Sequence, residues 1–374
     1  MIVFCHIPKT GGTSLGQFFI NSYPGGYVCS YDLYDYFTGM PEERLKNFSR
    51  IYDVDKVKVF ASHAIEPIAV RKYIPAAKIV LFLRNPIERV FSEYCYLKRV
   101  WQRGLYQFDL LKVENYPVDF TRDFTAYLHS YSKRKAMWRQ AKITEFLVLP
   151  AKEQIKGLDL CDFVGVMEDF EDSIALLQAK LGIYLKYTGN MQVNDNPERS
   201  AGEPYSASCS AEELKIATEL LRDENEGYLH ALEIYGKEFS NRDKDVFQFH
   251  KDRIALRNKF NDDQIRTLKI AWRTISKLSL TRKVLYGTGK YAVALIDALE
   301  SAELPLPDLI LDDAASVEKI YKITVRKFSK EELDENDTVI IASDIPGNIG
   351  KMAETLKKTR KKVKLIFPQE LTEA

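Results

Sequence analysis

The sequence predicts an α/β fold built on parallel sheets flanked by helices. Residues 1–7 form a short apolar run that leads through a glycine-containing loop into a helical pattern, and residues 77–83 form a second apolar run that leads into another helix. A third alternation of strand and helix patterns fills residues 283–374. Strands that are apolar on both faces and alternate with helices are typical of parallel sheets. We therefore expect a main N-terminal sheet and a small C-terminal one.

Length and composition restrict the class of protein. A chain of 374 residues with 45% hydrophobic and 29% charged residues is typical of a globular protein with two or three domains. Its net charge of +1 argues against a general nucleic-acid or membrane-surface role, so a basic site must be local. No stretch resembles a signal peptide or reaches the roughly 20 apolar residues of a transmembrane helix. The five cysteines are scattered without a C-x-x-C pair, which favours a reducing compartment, and we expect a cytoplasmic protein.

The loop after the first predicted strand has the features of an anion-binding site. Residues 8–13 combine two glycines with Lys9, and Ser14 is placed to cap the following helix. Backbone N–H groups at a helix start, the helix dipole and a lysine all favour negative charge. The alternative is a turn that uses its glycines only for tight geometry. Lys9 precedes the glycines, whereas a Walker A loop places its lysine after them, so a Mg²⁺–nucleoside triphosphate site is not indicated.

A second strand–turn–helix unit presents an arginine at the same edge of the sheet. Arg84 follows the second apolar run, Asn85 is a good N-cap and Pro86 suits the first helical position. Arg89 and Ser92 are three residues apart, which places them on one face of the helix. Ligands of open α/β sheets bind at the carboxyl ends of strands, and an arginine beside a helix start suits an oxyanion. The alternative is an arginine in a surface ion pair.

One histidine is placed as a candidate base. His63 closely follows an apolar run at residues 57–61, and a neutral imidazole with a usual pKa of about 6.5 can accept a proton near pH 7. A purely structural role is the alternative. His6 lies within the first predicted strand, where burial alone would explain it. No cluster of histidine, cysteine and carboxylate residues has zinc-site spacing.

The rest of the N-terminal half is predicted as loops, helices and two further strands. We expect a tyrosine-rich loop at 22–41, helices across 104–142, strands at 146–149 and 163–166, and helices at 169–181, 211–221 and 224–239. The tyrosines of the loop could stack on a sugar or base, or could tie the loop to the core. Lys98, Arg99 and Arg103 are expected to form a solvated helix face, with contact to an anionic sugar as the alternative.

The C-terminal residues form a module of their own. Gly287-x-Gly289-x-x-Ala292 follows a predicted strand, and Asp312 and Asp313 end the next one. This pattern is compatible with the dinucleotide fingerprint, so the module is predicted to be Rossmann-like. A nucleotide-binding protein that acts through this module, with NAD or a sugar nucleotide as ligand, is the competing function; docking of a partner is also open. The predicted divisions are a domain at 1–240, a helical connector at 241–281 and a domain at 282–374.

Two motifs resemble those of sulfotransferases that use 3′-phosphoadenosine 5′-phosphosulfate (PAPS). The segment His6-Ile-Pro-Lys-Thr-Gly-Gly-Thr-Ser14 is similar to their 5′-phosphosulfate loop, and Arg84-Asn-Pro-Ile-Glu-Arg-Val-Phe-Ser92 is similar to their 3′-phosphate site. Phe60-Ala-Ser-His63 and residues 163–173 resemble the carbohydrate branch, of the heparan sulfate 2-O and 6-O type. The resemblance covers residues 1–240 and does not reach the C-terminal module. Asparagine stands at position 85 where the family commonly has aspartate, and no membrane anchor like that of the Golgi enzymes is recognised, which suggests a bacterial relative.

The resemblance implies a parallel sheet like that of P-loop NTPases and an O-sulfotransferase that acts on a carbohydrate hydroxyl. PAPS would be the donor and 3′,5′-phosphoadenosine (PAP) the product, and no metal would be required. His63 would act as the general base, and Lys9 would neutralise the leaving oxygen. Arg84 and Ser92 would hold the 3′-phosphate, with Arg89 either assisting or bracing them. The residues implied to bind the 5′ end of the donor are Lys9, Thr10, Gly11, Gly12, Thr13 and Ser14.

Overall fold

The chain folds into two compact units in its computed structural model. One unit comprises Met1–Ser173 with Met191–Asn241, and the other comprises Ile174–Asn190 with Arg242–Ala374. The predicted domain limits near residues 240 and 282 stay a prediction. The residues that the structure describes are 1–30, 45–63, 65–102, 122–140, 146–186, 205, 209–256, 282–301, 304–314, 318–342, 346–359 and 364–366.

The first unit is built on a five-stranded parallel sheet. Its strands are β1 (Ile2–Cys5), β2 (Tyr27–Ser30), β3 (Val59–Ser62), β4 (Lys78–Leu83) and β5 (Phe163–Val166). They lie in the order β2-β3-β1-β4-β5, and every neighbouring pair is parallel. The chain places β2 and β3 on one side of β1, and β4 and β5 on the other. The carboxyl ends of β1, β3 and β4 therefore form the switch point at which α/β sheets bind their ligands. The predicted parallel sheet flanked by helices is confirmed.

Some helices of the first unit begin with a side-chain cap. The side-chain oxygen of Asn85 accepts hydrogen bonds from the backbone N–H groups of Ile87 and Glu88, which confirms the predicted cap. Ser210 and Glu213 form a reciprocal capping box. The helices are α1 (Gly12–Ser22), α2 (Phe48–Ile51), α3 (Pro67–Tyr73), α4 (Pro86–Gln102), α5 (Phe124–Gln140), α6 (Ala151–Asp159), α8 (Ala211–Leu220) and α9 (Arg222–Ser240). Helix α7 (Phe170–Leu181) begins in the first unit, and its residues from Ile174 on belong to the second.

The central strands are buried on both faces because nearly every position is apolar. Phe4 on β1 packs against Phe19 of α1 and Phe82 of β4, with ring centroids 6.1 and 6.5 Å away. Val3 and Cys5 alternate with Phe4 and pack into the cluster on the opposite face. Burying a side chain of this size contributes roughly 1.5–3 kcal/mol. A slip of one residue would move each of them to the wrong face, so the burial also fixes the register.

Three local predictions for this unit are wrong. Phe146–Val148 is a 3₁₀ turn rather than a strand, because a short apolar run can be buried in either form. The loop predicted at residues 22–41 contains edge strand β2, in which Tyr27 pairs with Val59 of β3. Ser14 does not cap α1: Gly11 is the N-cap, and Ser14 lies inside the first turn. The other members of the tyrosine cluster, Tyr31, Tyr34 and Tyr36, lie outside the described residues.

The second unit contains a six-stranded sheet in the order β11-β10-β6-β7-β9-β8. The pairing is parallel except between β8 and β9. The hairpin of β8 and β9 and the helix after β10 are elements that sequence reasoning did not predict. The strands are β6 (Lys283–Tyr286), β7 (Leu309–Asp312), β8 (Lys319–Ile320), β9 (Ile323–Lys327), β10 (Thr338–Ile341) and β11 (Lys364–Ile366), and the helices are α10 (Lys244–Leu256), α11 (Lys290–Ser301) and α12 (Pro346–Lys358).

A buried arginine joins separate elements of the second unit. Arg253 on α10 donates from Nε to Asp297 of α11 at 2.6 Å, and from its two terminal nitrogens to Gln178 at 3.1 Å and to the carbonyl of Leu185 at 2.8 Å. Its guanidinium lies 3.5 Å from the centroid of the Tyr184 ring. A charge this deeply buried is tolerated only when its donors are paired. Helix α10 comes from the predicted connector, whose residues 257–281 lie outside the described part of the chain.

Candidate active site

Three loops meet at the carboxyl edge of the first sheet. In the strand register Cys5 of β1 lies beside Ser62 of β3 and Leu81 of β4. The residues that follow these strands are therefore neighbours at one edge. His6 and His63 come directly after the paired positions of β1 and β3, and Arg84 follows the end of β4.

The loop after β1 is held in its shape by its own hydrogen bonds. Lys9 and Gly11 have φ angles of 70° and 81°, in the left-handed region. The buried hydroxyl of Thr10 donates to the carbonyl of Ile7 at 2.8 Å, and the N–H of Leu15 donates to the carbonyl of Gly11 at 3.1 Å. Because the hydroxyl hydrogen of Thr10 is donated within the loop, Thr10 can donate a hydrogen bond to an anion only from its backbone N–H. A non-glycine residue such as Lys9 in this conformation costs roughly 1–2 kcal/mol.

Both glycines of this loop are required by their neighbours. A Cβ on Gly12 would lie 1.6 Å from Nε2 of His6, and a Cβ on Gly11 would lie 2.7 Å from the sulfur of Met167. Helix α1 begins at Gly12 and its first N–H groups have no partner within the helix. Thr13 is exposed and Ser14 is half-buried in the same turn. The predicted anion-binding loop thus has a helix start with two hydroxyl side chains.

The ammonium group of Lys9 lies among other charges. Its Nζ is 4.4 Å from the centroid of the Tyr96 ring. Burial lowers the pKa of Lys9 to about 8, Glu93 opposes that change, and the positive charges of Arg99 and Arg84 lower the pKa further. We call Lys9, Arg84 and Arg99 the cationic cluster. Arg99 is half-buried and acts on Lys9, so the expectation of a purely solvated helix face does not describe it.

His63 is hydrogen-bonded to His6. Nε2 of His63 is 2.9 Å from Nδ1 of His6, and the rings meet edge to face with centroids 4.3 Å apart. Burial lowers the pKa of His63 to about 4. Burial lowers the pKa of His6 well below its usual value, and His63 and Lys9 lower it further. Both imidazoles are therefore neutral at pH 7, and each has one ring nitrogen able to accept a proton.

Arg84 lies in a loop that is tied to two other elements. The backbone N–H of Asn85 donates to Glu168 at 2.9 Å, and the hydroxyl of Tyr228 on α9 donates to the other carboxylate oxygen at 2.9 Å. The side chain of Arg84 is 13% exposed and lies 3.6 Å from the carboxylate of Glu88. These contacts hold the guanidinium at the sheet edge, in the cationic cluster.

Arg89 is turned to the interior of the unit. Its guanidinium is buried and contacts Glu93 and Glu224, each at 3.1 Å, and the hydroxyl of Tyr131 at 2.6 Å. Of the two roles considered for Arg89, these contacts favour bracing. Ser92 lies one turn further along α4 and is half-buried.

Several residues that support the site were not found from the sequence. Glu168, Glu224, Tyr131 and Tyr228 come from distant parts of the chain, and only the tertiary fold brings them to the two motifs. The position of His6 next to His63 follows from the strands, because residues that come after paired ends of neighbouring parallel strands lie side by side. Predicting this contact from the sequence would have required the order and register of the strands.

Metal-ligand clusters and membrane-spanning helices are both absent from the described residues. No group of three or more histidine, cysteine, aspartate or glutamate residues is arranged there to hold a metal ion. No helix in that part of the chain combines the length and the apolar character needed to cross a membrane. The prediction of a metal-independent reaction stays a prediction.

The fold and this edge define an α/β protein with an anion-binding loop, a cationic cluster and a neutral histidine pair. A profile described as the Sulfotransferase family matches residues 1–240. The chain belongs to this family, and transfer of a sulfuryl group is the class of reaction that membership supports. None of the curated proteins matches the chain.

Proposed function

We propose that the first unit transfers a sulfuryl group from PAPS to a hydroxyl of a carbohydrate, with His63 as general base. The observation that carries the proposal is the meeting of the Lys9 loop and the neutral His63 at the ends of adjacent parallel strands. The carbohydrate acceptor rests on the resemblance of residues 60–63 and 163–173 to that branch of the family. A cytoplasmic location and a bacterial source are part of the same proposal.

The cationic cluster supports a donor with several negative charges. The first N–H groups of α1, with Thr13 and Ser14, would hold the 5′ end of PAPS. Arg84 and Ser92 would hold the 3′-phosphate, the group that distinguishes PAPS from ATP. Burial and, after it, the neighbouring cations lower the pKa of Lys9, and a bound anion would raise it again. The residues present therefore suit a polyanionic donor.

The chemistry needs a base on one side of sulfur and a cation on the other. The acceptor O–H bond and the bond from sulfur to the bridging oxygen break, and a new O–S bond forms. His63 takes the acceptor proton, and Lys9 offsets the charge left on the bridging oxygen. Sulfuryl transfer resembles phosphoryl transfer, in which positioning and charge stabilisation supply most of the rate.

We also propose that the second unit is a Rossmann-like module. In its sheet β6 is central, with β7 and β9 on one side and β10 and β11 on the other, and this order corresponds to five of the six strand positions of a Rossmann sheet. Gly287, with φ at 112°, follows β6. The carboxylate of Asp312, however, accepts hydrogen bonds from the N–H and hydroxyl of Thr288 and from the N–H of Ala314, at 2.8 to 2.9 Å. An acidic residue used in this way is less suited to a ribose, so NAD is the weaker choice of ligand.

Thermal unfolding with a panel of ligands tests these proposals. A ligand that binds only the folded protein raises its apparent stability. We expect PAP to raise the Tm and ATP to leave it unchanged, since ATP lacks the 3′-phosphate. A rise with NAD or a UDP-sugar alone would favour a function of the second unit. No change with PAP would contradict the proposed donor.

A further inference from the structure

We propose that Tyr96 is a positioning residue: the face of its ring holds the ammonium group of Lys9 at the edge of the sheet where the donor would bind. This inference rests on the proposed function, in which Lys9 offsets the charge on the bridging oxygen. Its structural part, that the ring restricts the motion of the Lys9 side chain, can be tested without turnover.

The charged end of Lys9 needs a support outside its own backbone. The φ angle of 70° places that backbone in the left-handed region, but a flexible four-carbon stem separates the ammonium group from it. In the described part of the chain the ammonium group makes no hydrogen bond and no ion pair, and its contact is with the ring of Tyr96, 4.4 Å from Nζ to the centroid. An aromatic face attracts a cation within about 6 Å. The ring of Tyr96 is therefore the contact that can fix where the charge lies.

The charges around Lys9 favour a neutral support of this kind. Burial lowers the pKa of Lys9, Glu93 opposes that change, and the positive charges of Arg99 and Arg84 lower the pKa further. Two repelling cations drive a flexible ammonium group away from them. The face of an aromatic ring attracts the ammonium group but carries no net charge, so it can hold Lys9 without neutralising it. A carboxylate in contact with Lys9 would instead compete with the negative charge of the donor.

Helix α4 carries the groups that act on Lys9. Glu93, Tyr96 and Arg99 follow one another at intervals of three residues along this helix, and residues at that spacing are neighbours on the helix surface. Ser92 precedes Tyr96 by four residues, which is the other neighbouring spacing. The helix that carries the serine proposed to bind the 3′-phosphate therefore also carries the ring that contacts Lys9.

Tyr96 contributes less to the core than its neighbour on the same helix. Its side chain is 46% exposed, whereas Tyr94 is buried and its hydroxyl donates to the carbonyl of Arg122 at 2.8 Å. Substitutions at an exposed position seldom change the stability of a protein strongly. Variants of Tyr96 can therefore separate a role in the site from a role in folding.

The first test measures the motion of Lys9. Side-chain NMR relaxation at Cε, in the full-length protein and assigned with Lys9→Arg, reports motion on the picosecond-to-nanosecond timescale. We expect a restricted Lys9 in the wild-type protein and in Tyr96→Phe, which keeps the ring, and a Lys9 as mobile as the exposed Lys357 in Tyr96→Leu. Equal mobility of Lys9 in the wild-type protein and in Tyr96→Leu would overturn the inference. The measurement needs no PAPS, so its result does not depend on the proposed function.

The second test shows whether the ring acts through Lys9. With PAPS and unsulfated heparosan or chondroitin as probes, we expect Tyr96→Leu to lower kcat about 10-fold with little change in the KM for PAPS, and Tyr96→Phe to keep the wild-type kcat. In a Lys9→Ala background, Tyr96→Leu should lower kcat no further, because the two residues are coupled. A further loss in that background, as for a ring that stacks on the acceptor, would overturn the inference. Wild-type kcat in Tyr96→Leu would do the same.

Tyr73→Leu is the matched control. Nζ of Lys72 lies 4.6 Å from the centroid of the Tyr73 ring, which is a contact of the same kind, but Tyr73 ends α3 shortly before β4 begins, away from the carboxyl edge of the sheet. This variant should keep the wild-type kcat and a restricted Lys9. A loss of kcat equal to that of Tyr96→Leu would contradict the inference. If neither probe is sulfated, the mobility of Lys9 alone decides.

Discussion

Gly12→Ala should damage the site more than it damages the fold. The new Cβ would lie 1.6 Å from Nε2 of His6, and real contacts of this kind are not closer than 3.0 Å. His6, the helix start or both must move by about 1.4 Å in total. Neither can move freely, because the ring stacks on Phe4 and the loop is closed by the hydrogen bond of Thr10.

The magnitude follows from two opposed effects. Overpacking costs about 1–3 kcal/mol, and alanine in place of glycine in a helix returns up to about 1 kcal/mol. We expect a net loss between zero and about 3 kcal/mol in the free energy of unfolding. A displacement of about 1 Å in a catalytic group can lower turnover about 100-fold, and we expect a loss of that size in kcat.

The assay compares urea unfolding and turnover of PAPS for two glycine variants. Gly236→Ala is the control, because Gly236 lies in α9 and a Cβ there meets nothing within 4 Å. It should be neutral or slightly stabilising, with wild-type turnover. Wild-type turnover in Gly12→Ala would refute the reasoning, since His6 and His63 would then tolerate a shift that the geometry forbids.

Three further predictions concern the donor, the second unit and the dependence on pH. Arg84→Ala should weaken PAP binding about 10- to 100-fold in calorimetry, because a charge-assisted contact is lost. Its affinity for adenosine 5′-phosphosulfate, which lacks the 3′-phosphate, should be nearly unchanged, and equal losses for both ligands would place the 3′-phosphate elsewhere. Arg253→Met should destabilise the second unit by about 3–5 kcal/mol in urea unfolding, because it removes the buried cation that pairs with Asp297 and also bonds to Gln178. The exposed Lys357→Met should be neutral, and a small effect of Arg253→Met would contradict a structural role. Burial lowers the pKa of His63 from 6.5 to about 4 and also lowers the pKa values of His6 and His250, so below pH 6.5 the unfolded chain binds more protons than the folded one. The free energy of unfolding should therefore be full above pH 6.5 and fall towards pH 4, by up to about 1.4 kcal/mol per pH unit for each histidine. A stability that does not change with pH would contradict the neutral pair.

The sequence predicted those features that depend on local pattern. The apolar run at residues 77–83 became a central strand because burial on both faces demands apolar residues throughout. Asn85 was identified as a cap because the short side chain can reach the first N–H groups of a helix. The loop after β1, Arg84 and His63 were placed at one edge because parallel strands present their carboxyl ends together.

Features that depend on distant parts of the chain were missed. The carboxylate of Glu168 reaches Asn85 across more than 80 residues of sequence, and Glu224 reaches Arg89 across more than 130. No local pattern records such pairs. The contact of His6 with His63 was not predicted, because it depends on the register of β1 against β3. The strand predicted at residues 146–149 is a 3₁₀ turn at Phe146–Val148, because an apolar run of this length does not distinguish a strand from a helical turn.

The central claim, that His63 is the base of a PAPS-dependent transfer, is tested most directly by His63→Ala. Transfer of radioactive sulfate from PAPS to heparosan or chondroitin is followed for the wild-type protein and for the variant, and the PAP affinity of each is measured by calorimetry. We predict that kcat falls about 10²- to 10⁴-fold, as for the loss of a general base, while PAP affinity is unchanged. Wild-type turnover in His63→Ala, or the absence of PAP binding to the wild-type protein, would contradict the claim.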